Sequence, residues 1–74
     1  MSDHVYKSLE ITGSSSDSID DAVRTAVAKA SQSLRHLDWF ELVAVRGHLE
    51  DGQVSRFQVT IKIGFRLEEE GRTK

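Results

Sequence analysis

Trp39, Gln58 and three arginines are the residues of this 74-residue chain whose chemistry reaches beyond packing. A tryptophan offers a flat ring on which a planar heterocycle can stack, and a glutamine amide carries both donors and an acceptor that can read such a ring's edge. Arg46, Arg56 and Arg66 each present a forked set of donors suited to a phosphate. Nothing comparable points to catalysis. His48 falls opposite Ser55 near the end of a hairpin, and no serine in the chain has an evident base and orienting carboxylate beside it. Glu41 and Lys62 read as a cross-strand ion pair. His4, His36 and His48 are scattered and cysteine is absent, so neither a metal centre nor a disulfide is expected. The expectation is a binding protein, not an enzyme.

The elements that must position these residues follow from the periodicity. Val5 to Thr12 alternates as a short strand, with Val5, Lys7, Leu9 and Ile11 on one face, and Gly13 is read as its end. Ser14 to Ser18 is rich in capping residues, and with Ser15 as N-cap, Asp17, Asp20 and Asp21 would lie near the positive end of a helix dipole. Apolar residues then recur every three or four positions at Ile19, Ala22, Val23, Ala26, Val27, Ala30, Leu34 and Leu37, the buried stripe of one helix. Its alanines keep that helix slim enough to approach a sheet closely.

From Trp39 to Glu50 and from Gln53 to Leu67 the period becomes two, with Asp51-Gly52 as a hairpin turn between. That register pairs Phe40/Ile63, Leu42/Ile61, Ala44/Val59 and Arg46/Phe57 on the face that meets the helix. The opposite face carries Trp39/Gly64, Glu41/Lys62, Val43/Thr60, Val45/Gln58 and Gly47/Arg56. Gly64 leaves room beside the indole, and Gln58 is read as a buried amide in need of partners. The implied fold is α+β, a β-α-β-β unit whose three-stranded antiparallel sheet has the order 1-3-2, with the last strand between the first two.

Size and charge limit what such a unit can be. A chain of 74 residues makes one domain with a small core, and without disulfides or a metal its remaining stabiliser is a partner. Trp39, Val43, Val45, Leu49 and Val54 form an apolar patch on the face away from the helix, which copies of the chain would cover. Ten basic and twelve acidic residues give a net charge of −2, which does not suit nucleic acid. The N-terminus lacks an apolar signal core, and no run reaches the roughly eighteen apolar residues of a membrane span. A soluble cytoplasmic protein is expected, binding neither nucleic acid nor membrane.

In order and spacing, the chain resembles the dodecins, small flavin-binding proteins. The likeness rests on Val5-Tyr6-Lys7, Glu10-Ile11-Thr12-Gly13-Ser14-Ser15, Asp21-Ala22-Val23, Leu34-Arg35-His36-Leu37-Asp38-Trp39-Phe40-Glu41, Arg46-Gly47-His48, Phe57-Gln58-Val59-Thr60 and Gly64-Phe65-Arg66-Leu67. The resemblance implies a single dodecin-like domain over residues 1–74, with an ordered core over about 4–68 and a charged tail at 69–74. It implies a sheet wrapped on one helix and a homododecameric hollow shell holding flavin pairs between the tryptophans of neighbouring subunits. Trp39 would stack on the flavin, Gln58 would bond the ring edge, and Arg46 would lie near the ribityl phosphate, with Arg66 lining the same region. Ala44 stands where an archaeal branch carries an acid, which favours the bacterial pattern and FMN, with riboflavin or FAD as other flavins. The implied role is flavin storage, buffering and photoprotection. The alternative is a carrier or structural shell for another nucleotide-like cofactor such as coenzyme A.

Overall fold

The computed structural model describes residues 4–67, so the charged tail at 69–74 lies outside the described residues. The order of elements is β1 (Tyr6–Ser15), α1 (Ile19–Ala30), β2 (Leu37–Glu50) and β3 (Gln53–Arg66). β3 lies between β1 and β2 and runs antiparallel to both, giving the sheet order β1-β3-β2 that the sequence implied. Asp51 (φ 54°) and Gly52 (φ 74°) both have positive φ, the requirement of the tight turn that Asp-Gly signals, and Glu50 faces Gln53.

β1 does not stop at Gly13. It continues to Ser15, and Gly13 is there because the helix crosses closest at that point. A Cβ on Gly13 would stand 2.6 Å from the carbonyl oxygen of Ala22 and 2.8 Å from Cβ of Ala26. The helix cap likewise differs from the expected Ser15. Ser18 is the N-cap, its hydroxyl accepting from the Asp21 amide at 2.9 Å. Ser15 is instead buried as the hinge of the β1–α1 corner, accepting from the Asp17 amide at 2.9 Å and donating to Oδ2 of Asp21 at 2.7 Å.

The helix is also shorter than its apolar stripe. It ends at Ala30, where Ser31, Gln32 and Ser33 close two tight turns, Gln32 donating to the Lys29 carbonyl and Ser33 to that of Ala30, each at 3.1 Å. Serines compete with the helical backbone for such bonds; that of Ser31 donates to the Ala28 carbonyl at 2.8 Å. The chain then turns through His36, whose φ of 61° admits no helix, and Leu37 opens β2. Leu34 and Leu37 still pack on the core, from the loop and the strand.

That core is narrow: Ala26 and Ala30 of α1 pack on Ile61 and Ile63 of β3, with Ala22 and Val59 also buried. The helix packs on β1 and β3, so the inward face of β2 is not covered as the sequence reading expected. Phe40 remains 51% exposed and Leu42 50%. The arms of the hairpin, 14 residues each and about 46 Å long, reach well past the 12-residue helix, about 18 Å long. Buried against itself, this chain leaves both faces of β2 wet.

Candidate functional site

The face of the sheet turned away from α1 is built in rows that run across all three strands. The register places Ser8, Gly64 and Trp39 in one row, Glu10, Lys62 and Glu41 in the next, then Thr12, Thr60 and Ala44, and finally Ser14, Gln58 and Arg46. The hydroxyls of Thr12 and Thr60 share a hydrogen bond of 2.9 Å across the third row. Glu41 and Lys62 face each other, but among the described residues they form no ion pair; the exposed Asp20–Arg24 contact at 3.4 Å on α1 is of that kind.

Trp39 sits where Gly64 leaves space for it. A Cβ built on Gly64 would collide with Cε2, Cζ2 and Cδ2 of the indole, so the fused ring system occupies the volume that any other residue at position 64 would fill. The glycine backbone supports the indole on one side, while 42% of Trp39 stays exposed. The side chain also borders a hollow of 180 Å³ with Val27, Leu37, Asp38, Phe40 and Ile63. That is smaller than the roughly 300 Å³ at which small-molecule pockets begin, so the chain by itself forms at most part of a pocket there.

The far end of the sheet departs from the expected register. β2 carries an irregularity between Leu42 and Ala44 and a second between His48 and Leu49, where one strand holds an extra residue. Between them the pairing shifts by one: Ala44 faces Thr60, Val45 faces Val59, Arg46 faces Gln58, Gly47 faces Phe57 and His48 faces Arg56. Val45 therefore moves to the helix side of the sheet, and Arg46 moves off it. Arg46 had been expected opposite Phe57 at the end of the helix-facing row; the structure sets it beside Gln58. Gln58 is exposed, not buried, and its amide has no hydrogen-bond partner among the described residues. Ser14, Arg46, Gly47, His48, Arg56 and Gln58 line an open cleft of 290 Å³.

Two distances follow from the strand rise. Gly64 and Gln58 are six residues apart on β3, so Trp39 and Gln58 lie about 20 Å apart within one chain, farther than a three-ring heterocycle reaches. Arg66 is eight residues from Gln58, so it lies about 26 Å from Arg46, at the opposite end, bordering a hollow with His36, Leu37 and Asp38. Arg46 and Arg66 of one subunit cannot hold the same phosphate. Sequence reasoning named Arg56 as a phosphate donor but did not place it with His48 beside Arg46 and Gln58, because the alternation it used put Arg56 opposite Gly47 and His48 opposite Ser55. Among the described residues there is no group of three or more acidic, histidine or cysteine side chains able to hold a metal ion, and no helix long and apolar enough to cross a membrane.

The fold and this surface define a small β-α-β-β subunit that presents an open, partly aromatic sheet face. Comparison with known proteins names its kind: a family model described as Dodecin matches residues 5–68, and the chain belongs to the dodecin family. The dodecin of Streptomyces coelicolor is 58% identical, with 95% of this chain and 100% of that one aligned and a TM-score of 0.87. The dodecin from Streptomyces davaonensis is 51% identical over 92% of this chain and 100% of its own, also with a TM-score of 0.87. A dodecin of Thermus thermophilus is 45% identical over 65 residues, 88% of this chain and 94% of that protein.

Proposed function

We propose that this protein binds, stores and buffers FMN as a homododecameric shell, with the flavin stacked between tryptophans of neighbouring subunits. The observation that carries the reading is the pair formed by Trp39 and Gln58. One is a half-open indole seated on a glycine, the other an exposed amide on the same face without a partner among the described residues, and both are open to something outside their own chain. At about 20 Å apart in one subunit, they meet on a single ring only when different copies supply them. Exposed Phe40, Leu42, Val43 and Val45 give those copies an apolar surface to bury.

In this reading Trp39 stacks, Gln58 bonds the ring edge, and Arg46 lies near the ribityl phosphate. Arg66, two residues along β3 from Gly64, lies at the Trp39 end and lines the region that the neighbouring copy's Trp39 brings to the flavin. An indole stacked on an isoalloxazine drains its excited state by electron transfer, and a ring enclosed between tryptophans has no room for a substrate, so the role is storage and photoprotection in place of turnover. Purified protein is expected to carry flavin or to quench added FMN; absence of both overturns the reading. Trp39→Ala is expected to remove most binding while the assembly persists, since an aromatic stack contributes about 1–3 kcal/mol.

The second reading, a shell carrying a nucleotide-like cofactor such as coenzyme A, draws on the cationic ends of the sheet. Mass spectrometry of natively purified protein separates the two by the mass of what is bound.

A further inference from the structure

We infer that Arg56, oriented by Ser14, acts with Arg46 to grip a phosphate monoester and makes this site select phosphorylated flavin over the unphosphorylated ring. The inference rests on the flavin reading above and assigns a residue outside it. Three observations carry it. Two compensating bulges, at Val43 in β2 and at Ser55 in β3, turn Arg46 and His48 to the side of Gln58 and Arg56, so two guanidinium groups and an imidazole meet in one cleft of 290 Å³. Among the described residues no carboxylate lines that cleft, although the chain as a whole carries a net charge of −2. Among the described residues neither Arg46 nor Arg56 has an acidic partner; the Arg56 Nη2 donates to the Ser14 hydroxyl at 3.4 Å, which fixes one corner of the fork and leaves its other donors open.

Such an arrangement fits a dianion. A phosphate monoester carries about −1.5 to −2 charges and three acceptor oxygens, and a planar guanidinium can bond two of those oxygens at once. A dianion between two guanidinium groups is attracted to both, an attraction that an uncharged ribityl chain lacks. Gln58 stands in the same row as Ser14 and Arg46, so the amide that would read the ring edge and the cations that would hold the phosphate belong to one wall. The ligand's two ends are thus recognised side by side.

The test measures dissociation constants for FMN and for riboflavin by fluorescence quenching, with wild-type protein and with Arg56→Gln, alongside the solution mass of each. Wild type is expected to hold FMN more tightly than riboflavin. Arg56→Gln should weaken FMN on the order of tenfold, as loss of a charge-assisted contact does, while riboflavin is unchanged. Ser14→Ala should produce the same selective loss at smaller size. An equal loss for both flavins, or no change for FMN, overturns the assignment of Arg56. Should neither flavin bind wild type, the flavin reading fails by itself, and thermal stability in added inorganic phosphate then decides the anion site: a rise in wild type that Arg56→Gln lacks sustains it, and no rise ends it.

Discussion

Gly64→Ala separates the indole's seat from the indole itself. A Cβ at position 64 stands 2.6 Å from Cδ2 of Trp39 and nearer still to Cε2 and Cζ2. Non-bonded carbons settle about 3.5–4.0 Å apart, so the ring must retreat by about 1 Å at Cδ2 and more at the other two atoms. The strand itself can accept alanine: the backbone at Gly64 shows no positive φ, and a glycine inside a strand already weakens it slightly. The displacement therefore falls on the tryptophan. A stack on an aromatic is worth about 1–3 kcal/mol, and losing one weakens binding roughly 5- to 150-fold. Titration of FMN against the variant, read by quenching, should show that loss while the far-ultraviolet circular dichroism and the solution mass stay as in wild type. In a Trp39→Ala background the same change should do almost nothing, because the two act through one contact. Wild-type affinity in Gly64→Ala, or a full additive loss in the double variant, refutes the reasoning that Gly64 exists to seat Trp39.

Gly13→Ala drives a methyl group into the Ala22 carbonyl and the Ala26 side chain, and overpacking of that kind costs about 1–3 kcal/mol; thermal unfolding should show a lowered midpoint, and an unchanged one would mean the helix does not cross β1 as closely as described. Ser18→Ala removes the hydroxyl that accepts from the Asp21 amide and should cost about 1 kcal/mol in denaturant unfolding, whereas Ser15→Ala should cost more, since that buried hydroxyl joins the strand, the loop and Asp21. Leu42→Asp places a charge on the open inward face of β2, and light scattering should report a smaller assembly than wild type; an unchanged mass would show that this surface faces solvent in the assembled protein.

How far the sequence reveals this molecule depends on how local each signal is. Asp51-Gly52 encodes its turn in two residues, and the alternation on either side of it is strong enough to place Trp39 opposite Gly64 and Glu41 opposite Lys62, as found. The bulge beside Val43 has no such mark: Val43, Ala44 and Val45 are all small and apolar, so the hydrophobic pattern suits either register, and only the paired backbone shows which applies. That extra residue, matched by the extra Ser55 in β3, moves Arg46 to the wall of Gln58 and brings Arg56 and His48 beside them. Gly13 looked like a strand end because glycine is ambiguous between a break and a close approach, and only the position of Ala22 and Ala26 above it resolves the matter. The stripe from Ile19 to Leu37 overstated the helix for a related reason. Leu34 and Leu37 do reach the core, but hydrophobic spacing records burial and not the backbone that achieves it.

The central claim is that Trp39 and Gln58 of different copies close on one flavin. Native mass spectrometry of the protein titrated with FMN tests it most directly. Each chain carries one tryptophan, and in the proposed site two tryptophans enclose a pair of flavins, so saturation should give a single assembly of dodecamer mass holding one FMN per chain. A monomer that binds FMN unaided, or a shell that takes up none, would contradict it.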